Sequence, residues 1–194
     1  MKRAVFLDRD GTLNRNVWNP ETGAFESPLT PDQMELLPGV ISALHKLQSA
    51  GYLLILVSNQ PNYVKGKASM QVLSAIHERL EELLLARKIL LTASYYCFHH
   101  PDFTGACICR KPSPYFLFRA QNTFNIDLEE SWMIGDRITD IECGLAAGTK
   151  TILLANSHEI CHAAHGLASS LRLAVEAILS SHAINTSDSL RMSM

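Results

Sequence analysis

The stretch VFLDRDGTLN, residues 5–14, is the strongest indication of the fold class of this chain. It begins with an apolar run and then places Asp8 and Asp10 two residues apart, with Gly11 directly after them. A short apolar run that ends in polar residues is typical of a strand buried on both faces of a parallel sheet. Since alternate residues of an extended chain point to the same side, the two carboxylates are predicted to face one site at the end of this strand.

The same kind of strand recurs along the chain, with helical segments in between. Apolar runs predict strands in YLLILVSNQ, ASYYCF, SWMIG and KTILLA, whereas apolar residues at helical spacing predict the helices that separate them. A loop is predicted from Asp8 to about Leu37, and a last helix near residues 167–180. Strands that alternate with helices predict an α/β fold with a three-layer, doubly wound, Rossmann-like and mostly parallel sheet.

Composition and charge favour one globular domain. Of the 194 residues, 47% are hydrophobic and 19% are charged, which is a globular rather than a disordered balance. A net charge of −2 argues against a nucleic-acid or anionic membrane partner, and the apolar runs are too short to span a bilayer. We expect a single domain over residues 1–182, a disordered tail over residues 183–194, a cytoplasmic location and a monomer.

Polar residues follow three of the predicted strands and would meet at one edge of the sheet, where parallel sheets bind ligands. These residues are Asp8, Asp10, Ser58, Asn59 and Asp136. Carboxylates that share a site need a cation, and Mg²⁺ typically takes one or two carboxylates together with a substrate phosphate. Lys111, in the motif CRKP, adds a charge able to hold a phosphoryl oxygen. D-x-D-G alone is also a common turn, but the combined set favours phosphoryl transfer through an enzyme carboxylate.

The ordered motifs D-x-D-G-T, a serine after the second strand, a lysine and G-D-x-x-x-D resemble the haloacid dehalogenase (HAD) superfamily, from about Val5 to Asp140. The resemblance implies that Asp8 is the nucleophile, that Asp10 is the general acid and base, and that Asp140 orients the site. It also implies a set of binding residues. The phosphate- and substrate-binding residues would be Ser58, Asn59, Arg110 and Lys111, and the Mg²⁺ ligands would be Asp8, Asp136 and the Asp10 backbone carbonyl.

The role implied for Asp10, as both general acid and general base, leads to an expectation for its pKa. A group that acts as both acid and base works best with a pKa near the working pH. In the metal-free protein, the neighbouring charge of Asp8 is expected to raise the pKa of Asp10.

A second constellation, C-x-H-x7-C-x-C, lies in CFHHPDFTGACICRKP, residues 97–112. Its potential ligands are Cys97, His99, Cys107 and Cys109, with His100 as the competing imidazole. Three thiolates and one imidazole complete a tetrahedral zinc site with no open position, which indicates structural Zn²⁺ in a loop over residues 97–109. Paired as disulfides, these cysteines would not suit a cytoplasmic protein. The loop ends two residues before Lys111, so zinc would fix Arg110 and Lys111 near the site.

The chain has no room for a cap domain, which narrows the resemblance to a capless, zinc-loop branch of the superfamily. That branch includes heptose 1,7-bisphosphate phosphatases and histidinol-phosphate phosphatases, and the motifs that carry the resemblance are DRDGTLN, LLPGV, SNQ, CFHHP, CRKP and GDRITD. After SNQ, this chain reads PNYVKG where relatives commonly read SGIARG. Because that loop borders the open face of the site, the departure bears on the substrate and not on the chemistry.

Charge is the best guide to the substrate. Cations near the motifs suit a second phosphate and favour D-glycero-D-manno-heptose 1,7-bisphosphate losing its 7-phosphate; they are Arg15, Lys65, Lys67, Arg110 and Arg137. Acidic residues of the first loop could instead serve the amine of histidinol phosphate; they are Glu21, Glu26 and Asp32. Histidinol phosphate therefore stays open as the substrate, as does a non-catalytic module that binds a phosphate ligand.

Overall fold

The computed structural model describes residues 1–154 and 162–180, which form a parallel sheet between two layers of helices. The strands are β1 (Ala4–Leu7), β2 (Val17–Asn19), β3 (Ala24–Glu26), β4 (Leu53–Asn59), β5 (Ala93–Cys97), β6 (Trp132–Gly135), β7 (Lys150–Leu154) and β8 (Gly166–Ala168). The helices are α1 (Val40–Ser49), α2 (Met70–Leu85), α3 (Pro101–Thr104), α4 (Tyr115–Phe124), α5 (Ile138–Ala147) and α6 (residues 171–180). None of these helices is long and apolar enough to cross a membrane.

Six strands make the main sheet in the order β5-β4-β1-β6-β7-β8, and every neighbouring pair is parallel. Alternate residues of β1 point to opposite faces: Val5 and Leu7 belong to one apolar cluster, and Ala4 and Phe6 to another. Helices α1, α2 and α6 cover the first face, and α4 and α5 cover the second. The three-layer, doubly wound α/β fold is as predicted.

The central position of β1 brings the motifs together. It pairs with β4 on one side and with β6 on the other, with Leu7 opposite both Leu56 and Ile134. The residues that follow these three strands therefore meet at the carboxyl edge of the sheet, at the point where the strand order changes direction.

The segment predicted as a loop after β1 contains ordered structure. Strands β2 and β3 form an antiparallel hairpin, and Pro31–Gln33 form a 3-10 helix. Gly23 turns the hairpin with a φ of 63°, and the rings of Trp18 and Phe25 pack edge to face with centroids 5.3 Å apart. Within the described residues the hairpin is too small to be a cap domain, which agrees with the expected capless HAD core.

The end of the described chain differs from its prediction. Residues 166–168 form β8, which pairs with β7, and the last helix begins only at residue 171. A three-residue edge strand is too short to show a periodic apolar pattern, so the sequence did not distinguish it from the helix. The tail predicted at residues 183–194 lies outside the described residues, and the domain boundary at residue 182 stays a prediction.

Candidate active site

Lys111 joins two carboxylates at the carboxyl edge of the sheet. Its Nζ donates to Asp8 Oδ1 at 2.6 Å and to the Val57 carbonyl at 2.7 Å, and it lies 2.6 Å from Asp140 Oδ1. Burial alone would lower the pKa of Lys111, but Asp140 and Asp8 outweigh it and raise the pKa. The side chain is thus a fixed positive charge in a poorly solvated site, where its interactions are strong.

Asp8, Asp136 and Asp140 form a carboxylate cluster, with one oxygen of each within 4.8 Å of the others. Burial and neighbouring carboxylates raise the pKa of Asp8 to about 6, against the opposing effect of Lys111, and that of Asp136 to about 7. Asp136 Oδ1 is buried without a hydrogen-bond partner among the described residues. Clustered carboxylates with an unsatisfied oxygen are a donor set that fits Mg²⁺.

Gly11 and Gly135 give the cluster its close packing. Gly11 has a φ of 83°, and a Cβ at that position would collide with the Asp136 carboxylate. A Cβ at Gly135 would collide with Asp140. Asp140 Oδ2 also accepts a hydrogen bond from the backbone N–H of Arg137 at 3.1 Å, which anchors this carboxylate at the start of α5. Of the cluster, only Asp140 lay outside the metal ligands implied by the sequence.

The Asp10 carboxylate is held by side chains on both of its oxygens. Oδ1 accepts from Arg9 Nε at 3.1 Å and from Asn14 Nδ2 at 2.9 Å. Oδ2 accepts from Arg9 Nη2 at 3.1 Å and from Gln60 Nε2 at 2.5 Å. Burial would raise the pKa of Asp10, but Arg9 and these hydrogen bonds outweigh it and lower the pKa. The expectation of a raised pKa was therefore wrong, because it considered Asp8 and not Arg9.

The residues after β4 connect the phosphate side of the site to its neighbours. Gln60 donates to Ser58 Oγ at 2.9 Å as well as to Asp10, so one amide bridges the two. Asn59 Nδ2 donates to the Lys111 carbonyl, and Asn59 Oδ1 accepts from the Lys111 N–H, both at 3.1 Å. Both polar atoms of Asn59 thus hold the Lys111 backbone, and its expected contact with phosphate stays a prediction.

A cleft of about 900 Å³ opens above these groups. Its lining includes all the predicted catalytic and phosphate-binding residues together with Asp136: Asp8, Asp10, Ser58, Asn59, Arg110, Lys111 and Asp136. Phe25 and Glu26 of the hairpin also line it. The cleft therefore connects the catalytic and phosphate-binding residues with the surface of the hairpin, which the part of the substrate beyond its reacting phosphate would contact.

The charged residues expected at the rim divide into two groups. The cations that line the cleft are Lys65, Lys67, Arg110 and Arg137. Arg15 is outside this lining and pairs with Glu35 at 3.0 Å. Glu26 accepts two hydrogen bonds of 2.7 Å from Lys67, which lower the pKa of Glu26 to about 2 together with those from Thr22 and Asn19. Glu21 and Asp32 do not line the cleft.

The predicted zinc ligands lie together in a second cluster. One ligand atom from each of Cys97, His99, Cys107 and Cys109 lies within 4.8 Å of the others. The Cys97 Sγ is 3.7 Å from that of Cys107 and 3.3 Å from that of Cys109. Tetrahedral Zn–S bonds of about 2.3 Å would place sulfurs about 3.7 Å apart, so the cluster fits Zn²⁺. His100 instead accepts from the Asp102 N–H at 3.3 Å, so His99 is the imidazole of the cluster.

Sequence reasoning missed three partners of Asp10, namely Arg9, Asn14 and Gln60. A signal existed for Gln60, which is two residues after Ser58 and so points to the same side of an extended chain. Arg9 carried no such signal, because the residue between two aspartates is expected to face away from both of them.

Comparisons with known proteins agree with the fold and the motifs. Residues 108–166 match the model of the HAD-hydrolase-like family. The chain is 38% identical over 157 residues to the D-glycero-beta-D-manno-heptose-1,7-bisphosphate 7-phosphatase of Yersinia pestis, covering 77% of this chain and 79% of the relative. It is 35% identical over 157 residues to the enzyme of that name from Escherichia coli K12, covering 77% and 78%.

A solved structure with the same architecture is the D,D-heptose 1,7-bisphosphate phosphatase of B. bronchiseptica, complexed with magnesium and phosphate. The TM-score is 0.76 at 25% identity, and the match covers 93% of this chain and 99% of that one. The similarity of fold therefore extends over most of both chains.

Proposed function

Because the chain belongs to the D-glycero-β-D-manno-heptose-1,7-bisphosphate 7-phosphatase family of HAD phosphatases, we propose that it removes the 7-phosphate from that sugar bisphosphate with Mg²⁺. The observation that carries the proposal is the cleft in which Asp8, Asp10 and Lys111 lie together. These are a nucleophile, a proton carrier and a fixed cation, the side chains that phosphoryl transfer through a carboxylate needs.

In the first half of the reaction, an Asp8 carboxylate oxygen attacks phosphorus and the bond between phosphorus and the sugar oxygen breaks. The electron pair goes to that oxygen, which takes a proton from Asp10. Lys111 and Ser58 would hold the phosphoryl oxygens during the transfer. Arg9 and its hydrogen bonds lower the pKa of Asp10, which favours the carboxylate, the form that accepts the proton of water in the second half.

In the second half, water attacks the phosphorus of the aspartyl-phosphate and its proton goes to Asp10. The bond between phosphorus and Asp8 breaks, which releases inorganic phosphate and restores the Asp8 carboxylate. Mg²⁺ would be held by Asp8, Asp136 and the Asp10 backbone carbonyl, and it would neutralise the negative charge that phosphate brings near the carboxylates. Asp140 would keep Lys111 oriented throughout.

The zinc cluster lies outside the catalytic residues and would stabilise the loop that carries Arg110 and Lys111. Cys97, His99, Cys107 and Cys109 would hold a structural Zn²⁺ with no open position. The Arg110 guanidinium donates to the His99 carbonyl at 3.1 Å, which ties this cation of the cleft to the metal loop. Metal binding would thereby fix the direction from which Arg110 and Lys111 approach a substrate.

Charge in the cleft supports a bisphosphate over histidinol phosphate. Lys65, Arg110 and Arg137 line the cleft, and none of them forms a salt bridge to a carboxylate of residues 1–154 or 162–180. A second phosphate would meet these cations. The amine of histidinol phosphate would need a carboxylate, and Glu26 is already occupied by Lys67. An intact Asp8 and Asp10 argue against a non-catalytic binding module.

A substrate panel tests this proposal. We expect kcat/KM for D-glycero-β-D-manno-heptose 1,7-bisphosphate to exceed that for histidinol phosphate and p-nitrophenyl phosphate, with product analysis showing loss of the 7-phosphate. Asp8→Asn keeps the shape of the side chain and is expected to abolish all three activities. A higher kcat/KM for histidinol phosphate would overturn the substrate, and full activity of Asp8→Asn would overturn the mechanism.

A monomeric protein in the cytoplasm, acting on a small phosphorylated metabolite, completes the proposal. A site open to solvent on a single chain needs no partner subunit to bind such a substrate. Light scattering during size exclusion is expected to give the mass of one chain, 21.5 kDa. A dimeric mass would contradict the monomer while leaving the chemistry unaffected.

A further inference from the structure

Arg9 is a charged side chain that the fold buries almost completely, with 1% of its surface exposed. Its guanidinium makes two parallel contacts of 3.1 Å with the two oxygens of Asp10. Such a bidentate pair fixes the plane of the carboxylate as well as its position. Burying a charge costs free energy unless the charge is paired in this way, so the buried Arg9 requires Asp10 as its counter-charge.

The backbone explains how two successive residues can face each other. In an extended strand they would point to opposite sides. Here the chain turns directly after β1, and the Arg9 carbonyl accepts hydrogen bonds from the N–H groups of Thr12, Leu13 and Asn14 at 3.3, 2.8 and 3.1 Å. This turn brings the Arg9 and Asp10 side chains to the same side.

Arg9 is supported in turn by Tyr96 of β5, which itself contacts helix α2. Its guanidinium carbon lies 5.8 Å from the centre of the Tyr96 ring, within the range of a cation–π contact. The Tyr96 hydroxyl lies 2.9 Å from His77 Nδ1, and His77 Nε2 lies 3.3 Å from Glu81. A proton on Nε2 satisfies Glu81 and leaves Nδ1 to accept from the tyrosine, so the chain of contacts has one consistent direction.

We propose that Arg9 is a positioning residue for proton transfer by Asp10, and that Tyr96 and His77 hold Arg9 in place. The inference rests on the proposed function, because it concerns the proton carrier of the phosphatase reaction. Without Arg9, the Asp10 carboxylate would keep one side-chain donor on each oxygen, Asn14 and Gln60, and its plane would no longer be fixed by a single rigid group.

This role has a signature that a purely structural role lacks. A sugar alkoxide is a poor leaving group and needs the proton from Asp10, whereas p-nitrophenolate leaves readily without one. The parameter kcat/KM covers the steps through cleavage of the first phosphorus–oxygen bond. A misplaced Asp10 therefore lowers kcat/KM for the sugar phosphate much more than for p-nitrophenyl phosphate, while general damage to the site lowers both alike.

Four variants of the full chain test the inference with both substrates in Mg²⁺. Arg9→Met is expected to lower kcat/KM for the heptose bisphosphate at least about tenfold more than for p-nitrophenyl phosphate. Arg9→Lys is expected to behave similarly, because an ammonium group does not reproduce the fork on both oxygens. Tyr96→Phe is expected to shift the ratio in the same direction by severalfold. Arg15→Met, at an arginine outside the cleft, is the matched control and is expected to leave the ratio unchanged.

Equal losses on both substrates in the Arg9 variants would overturn the positioning role. Tyr96→Phe keeps the ring and loses the hydroxyl, so an unchanged ratio in this variant would overturn the support that the Tyr96 hydroxyl and His77 give. If Arg9→Met does not fold, the ratio measured with Arg9→Lys tests the positioning role of Arg9. If neither Arg9 variant folds, the ratio measured with Tyr96→Phe tests it. Failure of the proposed function looks different: wild type would hydrolyse neither ester, or Asp8→Asn would remain active. If wild type is active, Asp8→Asn is inactive and the Arg9 and Tyr96 variants keep the wild-type ratio of kcat/KM values, this inference is overturned and the proposed function is not.

Discussion

Asn59 and Lys111 are joined by two hydrogen bonds of 3.1 Å, one from the asparagine amide to the Lys111 carbonyl and one from the Lys111 N–H to the amide oxygen. The pair connects the end of β4 to the end of the metal loop. Lys111 is thus fixed through its backbone by Asn59 and through its ammonium group by Asp8 and Asp140.

Replacing Asn59 with alanine removes both backbone contacts of Lys111. We expect the free energy of unfolding to fall by about 2 kcal/mol, on the order of 1 kcal/mol for each hydrogen bond. We also expect kcat/KM to fall by about tenfold, because a small displacement of Lys111 weakens phosphate binding. Urea denaturation and steady-state kinetics measure the two effects. Unchanged kinetics with lowered stability would mean that Lys111 keeps its place without Asn59.

Asp10→Asn is expected to reduce both activity and stability. Loss of the proton carrier should slow hydrolysis of the sugar phosphate by a hundredfold or more. The buried Arg9 would lose its counter-charge, which costs on the order of 3–5 kcal/mol. In the double variant Arg9→Met/Asp10→Asn the charge is absent, so thermal denaturation should show recovered stability without recovered activity. A double variant less stable than Asp10→Asn would contradict the buried-pair argument.

Removal of Mg²⁺ should make stability fall as the pH rises. In the folded, metal-free protein the pKa values of Asp8 and Asp136 are raised to about 6 and about 7 from 3.8, so both groups bind protons more tightly than in the unfolded chain. The stability that they contribute is present below about pH 4 and is lost as the pH rises through 7. Asp10, whose pKa is lowered, has the opposite effect: its contribution to the free energy of unfolding is lost only when acid protonates the carboxylate, at pH values below this range.

Thermal melts with EDTA and with Mg²⁺ measure this effect. We expect Mg²⁺ to raise Tm more at pH 8 than at pH 5, since the ionised carboxylates then repel each other most without the ion. Asp136→Asn removes one of the charges and should reduce the difference between the two pH values. An equal effect of Mg²⁺ at both pH values would argue against this carboxylate cluster as the magnesium site.

Cys107→Ser tests the zinc cluster. The purified protein is expected to carry about one equivalent of zinc by elemental analysis, and the variant should lose it together with thermal stability. Cys143→Ser is the matched control, because Cys143 is a buried free thiol that does not belong to the four-residue metal cluster. Zinc retained in Cys107→Ser would indicate a different set of ligands.

The sequence predicted the main sheet well because strands such as β1 and β4 are buried on both faces and stand out as apolar runs. The strand ends then located the candidate site, since parallel strands bring their carboxyl ends together. Three-residue strands such as β2 and β8 were missed, because they are too short to display a pattern. The prediction for the pKa of Asp10 was wrong for another reason. This pKa depends on the direction of the Arg9 side chain, which is set by the turn after β1 and cannot be predicted from a strand pattern.

The hairpin β2–β3 shows how substrate choice could change during evolution without risk to the chemistry. It pairs only with itself among the described strands, and a salt bridge of 2.7 Å between Glu26 and Lys67 fastens it to the loop after β4. Its neighbours in the sequence, Asp8 and Asp10, are held by other elements. Mutation or exchange of this ten-residue module, Val17–Glu26, could therefore remodel one wall of the cleft while the reacting groups stay as they are.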